Sequence, residues 1–157
     1  MPNIHITVAA VIENQNKFLL VTDITSNGHK LNQPAGHVEA NEEIITAVIR
    51  EVYEESSMNF TPKKLIGIYL YNPNPENTYL RFCFKGIVTN IHETPRPIAN
   101  DDGVIAAGWY DLETIKSRRK ELRSTLVMKC IDDYLSGIEF PLEVLANHRD
   151  NLTVYLD

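Results

Sequence analysis

The chain has 157 residues, 43% of them hydrophobic, enough for one compact domain with a buried core and too few for two. Its formal net charge of −6 argues against a phosphate-tracking nucleic-acid surface, which needs a basic excess or a dense basic stripe, but leaves a small phosphorylated ligand open. No N-terminal stretch reads as a signal peptide or membrane span, since Ile4 to Ile12 is broken by His5 and Thr7 and followed by Glu13 and Asn14, so a cytoplasmic protein without a membrane partner is expected.

In chain order, Ile4 to Glu13 and Lys17 to Thr22 are strand-like runs joined by the turn-prone "NQN", which predicts a hairpin. The polar segment "DITSNGHKLNQPAGHVEAN" ends at Asn41, an N-cap candidate for a helix with Glu42 and Glu43 near the positive end of its dipole. The runs "KLIGIYLY" and "TYLRFCFKGIVTN" flank "NPNPEN" and predict a second hairpin. "VIAAGWY" follows as a strand, with Asp111 as N-cap for a helix over Leu112 to Arg119, a further helical period from Ser124 to Leu135, and a terminal strand in "LTVYL". Cys83 and Cys130 lie in apolar stretches with no second Cys or His at ligand spacing, and read as buried reduced thiols. The order predicts a single mixed α/β or α+β sandwich over residues 1–157.

The predicted helix after Asn41 carries "REVYEE". At about 100° per residue, with Glu51 at 0°, Glu54 falls near −60° and Glu55 near +40°, so the three acids share one face. Ile44, Ile45, Val48, Ile49 and Val52 form an apolar stripe beside it. Like charges so spaced destabilise a helix by only a few tenths of a kcal/mol per pair, so a solvated acidic face explains the local cluster. It does not explain the wider spacing: Gly36, Glu42 six later, then Arg50, Glu51, an apolar residue, Glu54 and Glu55. With about 6% for each of six residue types, chance yields this on the order of 10⁻⁵ times over all windows of the chain.

That spacing resembles the Nudix box, Gly-x5-Glu-x7-Arg-Glu-U-x-Glu-Glu-x-Gly-U with U apolar, and departs from it only at Ser57, where the family has its last Gly. A Ser there costs about 1 kcal/mol if the backbone is kept, or the helix ends differently, for instance at Asn59. "LNQPAGHVE", "YLRFCF", "GWYDLETI" and "RSTLV…YLSG…FPLEVL" extend the resemblance over nearly the whole chain, toward small Nudix phosphatases of the NudJ type.

The resemblance implies a Nudix-type α/β/α sandwich with a mixed sheet. It also implies a Mg²⁺-dependent phosphohydrolase, with Mn²⁺ as substitute. Its substrates would be nucleoside di- or triphosphates or related small pyrophosphates, thiamine-related ones included. The rival from another class is a Nudix-fold sensor that binds a nucleotide without turning it over; such modules usually lack acids that are present here. Monomer and homodimer both stay open. By the same resemblance Glu51 and Glu55 are principal metal ligands, Glu54 is a further ligand or the proton acceptor, and the backbone carbonyl near Ala35 or Gly36 is another ligand. Arg50 orients the site, or forms a plain surface pair with Glu54; Glu42 steadies the loop–helix junction, or is simply a first-turn acid. A general base outside the box falls to Asp101 or Asp102, with turn chemistry as the alternative. Arg81 and Lys30 are candidates for phosphate contacts against a reading as surface cations, and His37 is a candidate substrate contact.

Overall fold

The run Val8-Ala9-Ala10-Val11-Ile12 shows no polar alternation because both faces of its strand are covered. Ala9 and Val11 enter one apolar cluster, and Val8, Ala10 and Ile12 the other. In the computed structural model, which describes residues 2–98 and 103–150, this strand is β1 (Asn3–Val11). It runs parallel to β7 (Asn77–Val88) and antiparallel to β5 (Ala35–His37), and β7 pairs antiparallel with β6 (Phe60–Asn74). The result is a mixed sheet of order β5-β1-β7-β6. A second, antiparallel sheet is built on β3 (Lys17–Thr25), which pairs with β2 (Glu13–Asn14), β4 (Gly28–Asn32) and β8 (Val104–Asp111).

The first predicted hairpin is largely replaced. Only Glu13 with Phe18 and Asn14 with Lys17 pair as a hairpin, closed by Gln15 and Asn16 at φ 50° and 63°. The chain then changes sheet near Ile12, leaving β1 between β5 and β7 in the mixed sheet. The polar segment after Thr22 contains β4 and β5, whose backbones complete the edges of the two sheets although their side chains carry no apolar run. The second hairpin is present and longer than expected at its first strand, starting at Phe60.

Helix α1 (Ile44–Ser56) begins later than the Asn41 cap would have it. Asn41 takes a left-handed turn at φ 62°, which Asn tolerates, and the N-cap position falls on Glu43. The helix buries Ala47, Val48 and Val52 in one cluster, each valine contributing about 1.5–3 kcal/mol. Ile49, assigned to the apolar stripe, is exposed; Ala47 occupies the buried face instead. Asp111 caps α2 (Leu112–Ser117) by accepting from the Thr114 N–H at 2.8 Å, and Arg119–Glu121 forms a separate 3₁₀ turn. Ser124 caps α3 (Thr125–Leu135) by accepting from the Leu126 N–H. α2 and α3 feed the opposite cluster from α1, so the layers are α/β/α, as the resemblance implies. No helix among the described residues is long and apolar enough to cross a membrane. Asp101, Asp102 and the strand expected in "LTVYL" lie outside the described residues.

Candidate active site

The sequence wheel places the acids beside the buried stripe of α1; the structure places two of them inside it. Glu51 and Glu55 are each 5% exposed, while the Glu54 side chain is 44% exposed. Burying carboxylates is expensive unless they are paired, hydrogen-bonded or bound to a cation, which rules out a merely solvated face.

Each acid has a backbone element against it. The Ala35 N–H of β5 donates to Glu55 Oε1 at 2.8 Å. At Gly36 a Cβ would collide with the carboxyl group of Glu51, so the backbone approaches this closely only because the residue is Gly. β5 is held there by β1, with Val8 opposite Gly36 and Thr7 opposite His37.

Arg50 is far more than a surface pair. Its Nε and Nη2 donate to both oxygens of Glu42 (2.7 and 2.9 Å), its Nη1 to Glu51 (2.8 Å) and Glu54 (3.2 Å), and its Nη2 to the His37 carbonyl (3.0 Å). One planar cation thereby ties β5 to three acids. Hydrogen bonding from Arg50 lowers the Glu42 pKa, and Glu42 in return, with Glu51, raises that of Arg50. Glu42 also accepts from the Glu39 N–H at 3.0 Å, so it secures the loop–helix junction.

The acids open on a cleft of about 640 Å³ whose walls include His37 and Arg81. Burial, and to a smaller extent the neighbouring His5, hold the His37 imidazole below its usual pKa; the two rings share a hydrogen bond at 2.9 Å. Arg81 is 8% exposed, donates to Gln33 Oε1 at 3.2 Å, and forms no ion pair among the described residues. The Asp23 carboxylate, which lines the same cleft, lies within electrostatic reach of it. Lys30 is not among the residues lining the cleft, and its Nζ donates to the Lys120 carbonyl at 3.1 Å.

The cleft is also lined by residues the sequence reading missed, among them Asp23, Asn32, Tyr71, Tyr79 and Arg123. Asp23 and Arg123 meet at 2.6 Å although 100 residues apart, a pairing no local spacing announces. Burial pushes the Asp23 carboxyl up against the opposing pull of Arg123.

Among the described residues no three His, Cys, Asp or Glu side chains form a ready-made metal cage. Two buried carboxylates on adjacent turns with a backbone strand beside them instead offer hard oxygen donors on one side only. That fits a cation such as Mg²⁺, which keeps several waters and takes other oxygens from a bound phosphate.

The NUDIX domain family matches residues 3–129. Phosphatase NudJ of Shigella boydii serotype 4 (strain Sb227) and that of Escherichia coli (strain K12) are each 35% identical over 144 residues, covering 91% of this chain and 91% of theirs. A solved NUDIX hydrolase from Nitrosomonas europaea superposes with a TM-score of 0.84 at 41% identity, covering 93% of this chain and 98% of that one. A MutT NUDIX hydrolase from Burkholderia pseudomallei shares the fold, with a TM-score of 0.67 at 17% identity over 83% of this chain and 98% of its own.

Proposed function

The chain belongs to the Nudix hydrolase family, and from that premise we propose that it is a Mg²⁺-dependent phosphohydrolase cleaving phosphoanhydride bonds of nucleoside di- or triphosphates or related small pyrophosphates, thiamine-related ones included. The observation that carries this reading is the burial of Glu51 and Glu55 around an Arg50 that is already committed to several acids.

Glu51 and Glu55 would hold the metal, with the Gly36 carbonyl as a backbone ligand. When bound, a divalent ion neutralises phosphate charge and makes water a better nucleophile at neutral pH. Glu54, the most open of the three acids, is the residue that accepts a proton from the attacking water or completes the ligand set. Arg50 keeps Glu51 and Glu54 apart in fixed directions, and Glu42 keeps Arg50 in place. Arg81 meets the phosphate chain, where its charge would be satisfied, and His37, neutral at physiological pH, contacts the substrate at the mouth of the cleft. The compartment proposed is the cytoplasm.

Phosphate release from a panel of nucleotides and thiamine phosphates should cease in excess EDTA and return with Mg²⁺ or Mn²⁺. Glu55→Gln should lower kcat/KM by on the order of 10²-fold, about 2.7 kcal/mol, while Glu43→Gln, an exposed acid at the start of the same helix, stays within about twofold. Equal losses at the two positions would defeat the assignment, and a parent protein inert on the whole panel would favour a nucleotide sensor.

A further inference from the structure

The face of the mixed sheet on which α1 packs is covered over only part of its length. Register sets Ile6 beside Leu80 and Leu80 beside Leu70 across β1, β7 and β6, and the next row is Val8, Phe82 and Ile68. Val8 and Phe82 lead into the apolar cluster under α1, so both rows lie on the α1 face. On the other side of the Ile6 row, Ile4 stands beside Thr78. Here the cover stops: Ile4 is 77% exposed, Leu70 70%, Ile68 53% and Ile6 47%.

Scattered exposed apolar side chains need no explanation, but these adjoin one another across three strands. No charged residue falls among them in the register, although charged residues make up 23% of the chain. The Thr78 hydroxyl is already engaged, accepting from the Asn72 amide at 2.7 Å. A partner recognised through ion pairs finds nothing to hold in the middle of this surface, whereas a second copy of the same face does. Two apolar sheet faces stack about 10 Å apart, with strands roughly 30° from parallel and side chains interdigitated. With the half-buried Leu80 and Phe82, the exposed side chains amount to roughly 600 Å² on one copy and about 1,200 Å² in a twofold pair, the lower end of what specific dimers bury. Charge favours the same approach: at a net charge of −6 two copies repel least where an uncharged face meets its equal.

We propose that this face is a self-association surface, through which two copies of the chain pair about a twofold axis with β1, β7 and β6 stacked on their counterparts. The inference goes beyond the phosphohydrolase reading and does not depend on it. Thr7, Tyr79 and Arg81, which line the cleft, alternate along β1 and β7 with the residues of this surface and point to the other side of the sheet, so pairing leaves the cleft floor clear.

Sedimentation equilibrium of the full 157-residue chain decides it. The wild type should approach twice the monomer mass at about 100 μM and dissociate on dilution toward about 1 μM, the range an interface of this size supports. Leu70→Glu and Ile4→Glu, each placing a charge where the side chain is already exposed, should weaken association by about 30-fold or more while circular dichroism stays that of the parent. Should a Glu variant lose the parent's circular dichroism, Leu70→Thr, a good strand former, takes its place, with association weakened by about 10-fold. Ile87→Glu is the control. Ile87 is 53% exposed on β7 but faces the other side, since its neighbour Val88 packs with the cluster under α1, and its substitution should leave the dissociation constant within about threefold. A wild type still monomeric at about 100 μM overturns the proposal, as does association that the face variants do not weaken or that Ile87→Glu weakens equally. The same measurement on a chain lacking residues 151–157, which lie outside the described residues, identifies a different occupant: if only the shortened chain dimerises, that segment covers the face and the proposal falls.

Discussion

Ser57, the one residue that departs from the Nudix box, keeps the backbone of the glycine it replaces. It sits at φ 64° and ψ 11°, the left-handed region, and its N–H closes the end of α1 on the Tyr53 carbonyl at 2.8 Å. A residue with a Cβ loses about 1 kcal/mol there. The hydroxyl offsets it by donating to the Arg96 carbonyl at 2.5 Å, a bond worth about 1 kcal/mol that glycine does not make. The neighbouring Ser56 and Glu54 carbonyls accept from the Arg96 and Ile98 N–H groups, so this hydroxyl joins a seam that stitches the following loop to the helix end. Ser57→Gly is therefore expected within about 0.5 kcal/mol of the parent in urea unfolding, whereas Ser57→Ala, which keeps the strain and loses the bond, is expected to lose about 1 kcal/mol. A Gly variant more stable than the parent by over about 1 kcal/mol would show that the hydroxyl contributes nothing.

The site is assembled at the junction of β5 and α1, and that junction has an acid-sensitive fastening. Glu42 lies below the usual carboxylate range because Arg50 donates to both its oxygens. The unfolded chain, with an ordinary glutamate, takes up its proton first as pH falls from about 4.5, so the stabilisation is complete above that pH and is lost as pH drops through the depressed folded value. Thermal midpoints measured from neutral pH down to strong acid should fall less steeply for Glu42→Gln below about pH 4.5 than for the parent, with the two differing most at neutral pH. Identical slopes would remove Glu42 from the fastening. The acids themselves were legible because Glu51, Glu54 and Glu55 stand at the three- and four-residue spacings that put side chains on one helix face, inside the wider pattern of Gly36, Glu42 and Arg50. β5 was not, since Ala35–His37 is three residues held by backbone pairing to β1 with no side-chain pattern to read. The wheel also misplaced three residues. It took Ile49 as core and Glu51 and Glu55 as rim, because hydrophobicity alone does not register that the centre of a helix face can be acidic when a strand backbone and an arginine meet it. Asp23 and Arg123 stayed invisible for a different reason, being joined only by tertiary approach.

At the scale of the molecule the cleft draws on both sheets and on helices of both outer layers: all four strands of the mixed sheet, β3 and β4 from the antiparallel one, α1 from one outer layer and the start of α3 from the other. A ligand bound there bridges layers that otherwise meet through the two apolar clusters, so its binding free energy should register as stability of the whole fold rather than of one helix. The carboxylates of α1 add a second reason. The chain as a whole carries a net charge of −6, and a divalent ion bound by these carboxylates would stabilise the native state by mass action. At 100 times its dissociation constant such an ion adds about 2.7 kcal/mol, which for a chain of this size raises Tm by roughly 5–10 °C. Diffuse attraction to an acidic surface would also give a shift, but one that any divalent salt reproduces at matched ionic strength and that survives single substitutions. The specific reading demands that Glu55→Gln lose most of the Mg²⁺-dependent shift while Glu43→Gln keeps it, measured against NaCl at equal ionic strength. If both variants and the parent respond alike, the buried acids of α1 are not where the ion binds.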